Sequence, residues 1–143
     1  MEQTLAIIKP DAFARGLTGR ILAHLEEDGF RIRGIRTLRL SEAQAAEFYA
    51  VHKERPFFTS LVRFMTSGPC VPVLLERENA VARLREVIGA TDPAEAAPGT
   101  IRALYAESKE RNVIHASDAV ETARREIAFF FAAADVLETG VTG

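Results

Sequence analysis

The stretch Thr4-Leu5-Ala6-Ile7-Ile8-Lys9-Pro10 predicts the first strand of the fold, and the other elements follow from it along the chain. A short apolar run of this kind is typical of a buried strand, and Pro10 marks its end because proline restricts the residue that precedes it. We therefore expect a buried strand over residues 4–8, with Lys9 emerging at its end.

Helix and strand patterns alternate beyond this point. Apolar side chains at helical spacing predict a first helix between Gly16 and Gly29. Residues 31–40 place apolar side chains on one parity and arginines on the other, as a half-exposed strand does. Ser41, with Gln44 three residues later, forms a capping box and predicts the start of the next helix.

The middle of the chain continues this alternation. Residues 57–65 show helical spacing and are closed by the Gly-Pro pair at 68–69. Residues 71–76 predict a strand with a proline near its start, where a missing donor is tolerated. Asn79 is expected to cap a helix that Gly89 ends.

The last third of the chain begins with a long loop. Residues 90–99 contain two prolines and a glycine and show little periodicity, and loops of this length are often functional. After a short helix, residues 112–114 predict a brief strand that delivers His115 at its end. Asp118, with Glu121 three residues on, is expected to cap the last helix.

The order of these elements is β-α-β-α-α-β-α-loop-β-α, without an internal repeat. It predicts an α/β (α+β sandwich) fold of the ferredoxin-like type, a four-stranded antiparallel sheet with helices packed on it. The length of 143 residues, 48% of them hydrophobic, predicts a single domain over residues 1–143.

Composition limits the classes of function. The lone Cys70 excludes an internal disulfide and, with no Cys/His cluster, favours a reducing, cytoplasmic location. The apolar run near the N-terminus is too short for a signal sequence or a membrane span, so no membrane partner is expected. A net charge of −2 argues against a nucleic-acid partner, although four arginines crowd into residues 31–39.

The three histidines differ in their context. His24 and His52 lie in or after helical patterns and are expected to be surface or packing residues. His115 stands at a strand-to-helix junction, with Ser117 close by and Glu126 eleven residues later. A carboxylate that orients one ring nitrogen makes the other nucleophilic, but spacing alone favours a histidine that caps a helix.

Several side chains are suited to binding a phosphorylated ligand. Guanidinium groups bind phosphate oxygens in bidentate fashion, and hydroxyl and ammonium groups add further bonds. The candidates are Lys9, Arg85, Thr91 and Arg102 for phosphate and Phe57 for stacking. Taken singly, each has an ordinary structural explanation, and the chain lacks the glycine-rich phosphate motifs and the protein-kinase motifs.

The chain as a whole resembles the nucleoside diphosphate kinase family from Thr4 almost to Leu137. The resemblance rests on separated motifs that occur in the same order along the chain. They are residues 8–11, Tyr49, 55–58, 67–69, 89–93, 98–102, 112–118 and Glu126.

The resemblance implies a catalytic group. His115 is expected to be the nucleophile that carries phosphate, and Glu126 with Ser117 is expected to orient its ring. Tyr49 and Lys9 are expected to lie close to the phosphate in transit.

The resemblance also implies how substrates and a metal bind. Nucleoside di- and triphosphates are the expected partners, and Mg²⁺ is expected to be held mainly by their phosphates, with Asp118 as a contact through water. The expected binding residues are Arg85, Thr91 and Arg102 for phosphates, Lys9 and Asn112 for sugar hydroxyls, and Phe57 for the base. Since stacking reads a ring face, base selectivity should be poor. A homotetramer or homohexamer is expected, with the loop over residues 91–111 taking part in assembly.

Three residues depart from the family pattern. Ala116 and Ala119 replace the more common Gly and Ser, and Lys109 stands where an apolar residue often flanks the base. An alanine at positive φ would cost stability, so we expect Ala116 to have an ordinary backbone conformation.

Two other classes of function compete with this interpretation. A ferredoxin-like nucleic-acid-binding module would use the arginines of residues 31–39 against phosphates and Phe57 for stacking. The chain lacks the RNP1 pattern of such modules, and His115 with Glu126 would have no role. A regulatory ligand-binding domain would leave Arg85 and Arg102 without a defined substrate.

Overall fold

A computed structural model gives the structure of residues 1–136. In this range four strands form one sheet, namely β1 (Glu2–Ile8), β2 (Arg31–Ile35), β3 (Val71–Arg77) and β4 (Ile114–Ala116). The strand order is β2-β3-β1-β4, and all neighbouring strands are antiparallel. The predicted ferredoxin-like sheet is confirmed, and the strand that opens the chain lies in its interior.

Helices cover both faces of this sheet. They are α1 (Pro10–Ala14), α2 (Thr18–Glu27), α3 (Glu42–Phe48), α4 (Phe58–Met65), α5 (Ala80–Ile88), α6 (Ile101–Tyr105), α7 (Val120–Phe130) and α8 (Ala133–Val136), with a 3₁₀ turn at Ala50–His52. The capping box is confirmed, since Gln44 N–H donates to Ser41 Oγ at 3.1 Å and Ser41 N–H donates to Gln44 Oε1 at 2.9 Å.

The core has two parts because alternate residues of β1 point to opposite faces. Ala6 and Ile8 pack with residues of α2 and α5, whereas Leu5 and Ile7 pack with residues of α3, α4 and α7. His115 pairs with Ile7 across β1 and β4 and therefore lies on the face covered by α3, α4 and α7.

The strands differ from the prediction at two places. β2 ends at Ile35 rather than Leu40, and a bulge lies between Ile32 and Gly34. Beyond it, Leu38 makes only an isolated bridge with Cys70. Bulges of this kind bend a strand and disrupt its ladder, which accounts for the shorter strand.

The second difference concerns β4, which was expected over residues 112–114 but lies at Ile114–Ala116. His115 is consequently the central residue of the strand and not its end. The shift originates at Val113, whose φ is +68°, because a residue in the left-handed region cannot take part in regular strand pairing.

Helix starts also differ in detail. Asp118 does not cap α7, because that helix begins at Val120 and Asp118 lies one residue before the cap position. Asn79 precedes α5 as expected, but its φ is +53° and its side chain makes no capping bond. Pro10 ends β1 and also begins α1. Proline is tolerated at this position because a backbone N–H there would have no partner within the helix.

Candidate active site

His115 lies at the centre of β4 with its ring only partly exposed. The side chain is 20% exposed, and its Nε2 atom lies 2.8 Å from Glu126 Oε1. Glu126 belongs to the buried side of α7, so the helix delivers the carboxylate to the sheet face on which His115 stands. Within residues 1–136 this is the hydrogen bond that the imidazole makes, and Nδ1 is not engaged.

Ser117 completes the arrangement around the carboxylate. Its buried hydroxyl donates to the same Glu126 oxygen at 2.6 Å. Burial tends to raise the pKa of Glu126, but the hydrogen bonds from His115 and Ser117 outweigh it and hold that pKa below its usual value. An ionised Glu126 accepts a hydrogen bond from the protonated Nε2, and in that tautomer the lone pair is on Nδ1.

Two aromatic rings pack beside His115. The Phe48 and Tyr49 rings lie 5.6 and 6.0 Å from the imidazole and meet it edge to face. The Tyr49 hydroxyl is buried and has no hydrogen-bond partner within residues 1–136. Burial, helped by the charge of Glu126, raises the pKa of Tyr49, so the hydroxyl remains a donor at neutral pH.

Two arginines approach β4 from its outer edge. Arg102 donates to the carbonyl of Ile114 at 2.7 Å and to that of Gly89 at 3.1 Å. Arg85 on α5 donates to the carbonyl of Ala116 at 3.3 Å. The two guanidinium groups thus bind the backbone on either side of His115.

Lys9 supplies a third cation, from the end of β1. Its Nζ donates to Asn112 Oδ1 at 2.8 Å, and the residue is 7% exposed. Burial and the charge of Arg102 lower the pKa of Lys9 to about 8, and burial and the charge of Arg85 lower the pKa of Arg102 to about 10. In the described part of the chain none of these three cations forms an ion pair. Neighbouring cations that form no ion pair favour the binding of an anion.

Asn112 connects this group to the long loop. Its amide donates to the carbonyl of Lys109 at 2.9 Å and to that of Thr91 at 3.3 Å. The Thr91 side chain itself is exposed and has no described bond to the other candidates. Lys9, Asn112 and the loop are therefore brought together, with Thr91 at the margin.

Phe57 lies at the start of α4 and is 47% exposed. Its described ring contact is with His52, at 5.5 Å between centroids. A large exposed ring at a helix start is available for stacking, but the structure does not place it against His115.

Sequence reasoning missed a turn between Asn112 and His115. Val113 has a φ of +68°, its N–H donates to Asp11 Oδ2 at 3.2 Å, and Lys9 N–H donates to its carbonyl at 2.9 Å. No local signal predicts a valine in this conformation. Asp11 lies in the family motif of residues 8–11, and its place directly after Lys9-Pro10 was the signal in the sequence that it could have a role in the site.

Three of the four arginines of residues 31–39 form hydrogen bonds with other parts of the chain. Arg33 bonds the Glu76 carboxylate, while Arg36 and Arg39 donate to the carbonyls of Phe130 and Thr66. These bonds argue against the nucleic-acid-binding module, which needs its arginines for phosphate. Across residues 1–136 no helix is long and apolar enough to cross a membrane.

Comparison with known proteins decides between the remaining classes. The sequence model of the family described as "Nucleoside diphosphate kinase" matches residues 2–136. The chain belongs to the nucleoside diphosphate kinase family. Members of this family transfer phosphate between nucleotides. Membership therefore favours an enzyme over a purely regulatory ligand-binding domain.

Relatives within the family match almost the whole chain. The nucleoside diphosphate kinase of a Nitratiruptor species is 58% identical over 137 residues, which is 96% of this chain and 100% of that protein. That of Chlorobium chlorochromatii is 55% identical over 139 residues, covering 97% of this chain and 99% of the relative.

Solved structures of the family share the fold. The Aquifex aeolicus nucleoside diphosphate kinase has a TM-score of 0.92 at 47% identity, covering 95% of this chain and 99% of that one. The Halobacterium salinarum enzyme in complex with CDP has a TM-score of 0.91 at 41% identity, covering 96% and 91% of the two chains.

Proposed function

We propose that the chain transfers the γ-phosphate of a nucleoside triphosphate, typically ATP, to a nucleoside diphosphate through a phosphohistidine at His115. The observation that carries the proposal is the bond between His115 Nε2 and Glu126, which leaves Nδ1 as the nucleophilic atom. One site then serves donor and acceptor in turn, and the kinetics are ping-pong.

In the first half-reaction the Nδ1 lone pair attacks the γ-phosphorus in line with the leaving oxygen. The P–N bond forms, the bond from the γ-phosphorus to the bridging oxygen breaks, and the nucleoside diphosphate leaves. Nε2 keeps its proton, and the positive charge on the ring is stabilised by Glu126, 2.8 Å away. In the second half-reaction a β-phosphate oxygen of the acceptor attacks the phosphohistidine, and Nδ1 regains its lone pair.

Phosphate binding is assigned to Arg85, Thr91 and Arg102, with Lys9 and Tyr49 beside the phosphate in transit. Burial and a neighbouring cation lower the pKa of both Lys9 and Arg102. A bound polyphosphate would relieve that repulsion, and charge around the equatorial oxygens is what phosphoryl transfer needs. The unpartnered Tyr49 hydroxyl is a further donor for this position.

The nucleoside is assigned to the other half of the site. Lys9 and Asn112 are proposed to bind sugar hydroxyls, and the exposed Phe57 is proposed to stack on the base. Stacking without edge recognition predicts activity with all common bases. The complex of the Halobacterium salinarum relative with CDP supports a nucleotide as ligand.

Mg²⁺ is proposed as the metal, held mainly by the nucleotide phosphates. Among residues 1–136 no group of three or more His, Cys, Asp or Glu could hold a metal ion. A hard cation of this kind keeps several waters and binds through substrate phosphates, and the exposed Asp118 is proposed as a contact through water. When bound, the ion would neutralise charge on the phosphates.

We also propose a cytoplasmic homotetramer or homohexamer, built from one domain over residues 1–143, with no nucleic-acid or membrane partner. Two exposed apolar side chains support assembly. Leu104 is 54% exposed within the segment 91–111, and Ile35 is 48% exposed on the edge strand β2.

A steady-state assay tests the proposal. The protein is mixed with ATP, Mg²⁺ and a second nucleoside diphosphate, and formation of the new triphosphate is followed while both substrates are varied. We expect parallel double-reciprocal lines and no activity in His115→Ala. Intersecting lines would show that both nucleotides must bind together and would contradict the mechanism.

A further inference from the structure

The turn at Val113 is strained. Ile114 N–H donates to the carbonyl of Asn112 at 2.9 Å, which closes a three-residue turn around Val113 with its φ of +68°. A γ-turn with positive φ is rare and strained, and a β-branched residue is among the least suited to it. Such strain persists only where the surroundings hold the residue in place.

The surroundings that hold Val113 come from one short segment. Lys9 N–H donates to the Val113 carbonyl at 2.9 Å, and Asp11 Oδ2 accepts from the Val113 N–H at 3.2 Å. Asp11 is 3% exposed, and its other oxygen has no hydrogen-bond partner within residues 1–136. A buried carboxylate with one oxygen unpaired is costly for the fold, and its described side-chain hydrogen bond is the one to Val113.

The turn separates two groups of the site. Before it, Asn112 places its side-chain oxygen 2.8 Å from Lys9 Nζ, and two residues after it His115 places Nε2 2.8 Å from Glu126. The backbone conformation at Val113 therefore determines the positions of the Asn112 and His115 side chains together.

We propose that Asp11 is a positioning residue: it holds the strained turn at Val113 and thereby fixes Asn112 on Lys9 and His115 on Glu126. The inference rests on the roles proposed above for His115 and Asn112. Without the Asp11 acceptor, Val113 is free to relax toward negative φ, and the chain on both sides of it must turn. A displacement of about 1 Å in a catalytic group costs about 10²-fold in rate.

Three variants separate the parts of this claim. Asp11→Asn keeps an acceptor oxygen for the Val113 N–H, so we expect a phosphorylation rate within about fivefold of the parent. Asp11→Ala removes the acceptor and should slow phosphorylation by about 10²-fold. Asp11→Ala combined with Val113→Gly should recover at least about tenfold of that loss, because glycine adopts positive φ without strain.

The readout is phosphorylation of His115 itself, with two donors. ATP needs the whole nucleotide site, whereas phosphoramidate offers a phosphoryl group without sugar or base. A displaced His115 slows both reactions, whereas loss of the proposed Asn112 contact with the sugar alone slows only the first, so we expect Asp11→Ala to slow both. Assays are run well below each variant's unfolding midpoint.

Glu76→Ala is the control for general destabilisation. Glu76 is a carboxylate of similar burial, 5% exposed, and it pairs with Gln3, four residues before the His115 partner Ile7 on β1. We expect this variant to lose stability but to keep the phosphorylation rate within about twofold, since the site is untouched.

Failure of the parent protein to label on His115 would be a failure of the proposed function. A parent that labels and an Asp11→Ala variant that labels equally fast would overturn the positioning role alone. Additive effects of the two substitutions, with no recovery in the double variant, would overturn it as well. Should Asp11→Ala be too unstable to assay, a folded and active double variant supports the proposal, and an equally unstable one contradicts it.

Discussion

Charged side chains are paired with opposite charges at one end of the sheet, whereas three cations at the other end form no ion pair within residues 1–136. At the end where β1 begins, which we call the far end, Arg33 donates to both oxygens of Glu76 at 3.0 and 2.9 Å, and Gln3 adds a third bond at 3.2 Å. Nearby, Asp28 accepts from Arg77 and Arg83, and the hydrogen bond from Arg83 holds the pKa of Asp28 below its usual value. Glu76 and Asp28 thus each have an arginine partner.

Around His115 the balance is different. Lys9, Arg85 and Arg102 lie near one another, and their hydrogen bonds within residues 1–136 go to backbone carbonyls and to the Asn112 amide oxygen. Four buried side-chain atoms lack a hydrogen-bond partner within residues 1–136, and three of them belong to this end, on Asp11, Tyr49 and Arg102. The far end pairs its charges with one another, whereas the site leaves the Tyr49 and Arg102 donors and positive charge unpaired, which is what the proposed binding of a phosphorylated ligand requires.

The largest effect is expected for Arg102→Ala. Removing one charge-assisted phosphate contact should cost about 2 to 4 kcal/mol of transition-state stabilisation, a loss of about 30- to 1000-fold in kcat/KM. Because all substrates share their phosphates, the loss should be similar for every base. Arg55→Ala, which removes an exposed arginine beside Phe57, is the control. A loss confined to one nucleotide would contradict the assignment of Arg102 to phosphate.

The far end should show the reverse behaviour. Asp28→Asn should lower the free energy of unfolding at pH 7 while kcat stays within about twofold of the parent. Because the folded pKa of Asp28 is lowered, its stabilisation is present above about pH 4 and is lost as the pH falls through the folded pKa. Urea unfolding between pH 2 and 7 should therefore show a shallower acid decline in the variant. An unchanged pH profile would mean that the pair contributes nothing.

Nucleotide binding should change the protonation of Lys9. Its pKa of about 8 reflects burial and the charge of Arg102, and polyphosphate beside it should raise that pKa. At pH 8 we expect an uptake of about half a proton per nucleotide bound. Calorimetry in two buffers with different ionisation enthalpies measures this uptake, and Lys9→Met should abolish it. Uptake that persists in the variant would place the titrating group elsewhere.

The smallest effect is expected at Ala116. Its backbone is not among the positive-φ positions of residues 1–136, which confirms the conformation inferred from the sequence. Ala116→Gly should leave kcat within a few-fold and slightly lower the free energy of unfolding through greater freedom of the unfolded chain. A gain of about tenfold in kcat, equal to about 1.4 kcal/mol, would show that the methyl group obstructs transfer.

Much of the fold could be predicted because local patterns agree with the tertiary structure. The run before Pro10, the Ser41 capping box and the stop at Gly89 each have a local physical cause, and the structure contains all three. The resemblance then identified the family, and the contact between His115 and Glu126 was expected from it.

The rest depended on contacts between distant parts of the chain. Val113 is held by Lys9 and Asp11, which lie about a hundred residues earlier, and no local preference of valine predicts its left-handed backbone. The shift of β4 follows from that turn. In the same way, Asp118 is a residue type that commonly caps helices, but α7 begins at Val120 and its cap position is Ala119. The Asp118 side chain therefore does not cap the helix.

Direct isolation of the phosphoenzyme tests the central claim. The protein is incubated with γ-labelled ATP and Mg²⁺ without an acceptor, and the labelled residue is mapped. We predict one label that is acid-labile and stable to alkali, located on His115, absent from His115→Ala, and discharged when a nucleoside diphosphate is added. Formation of new triphosphate by a protein that never carries label on His115 would contradict the account.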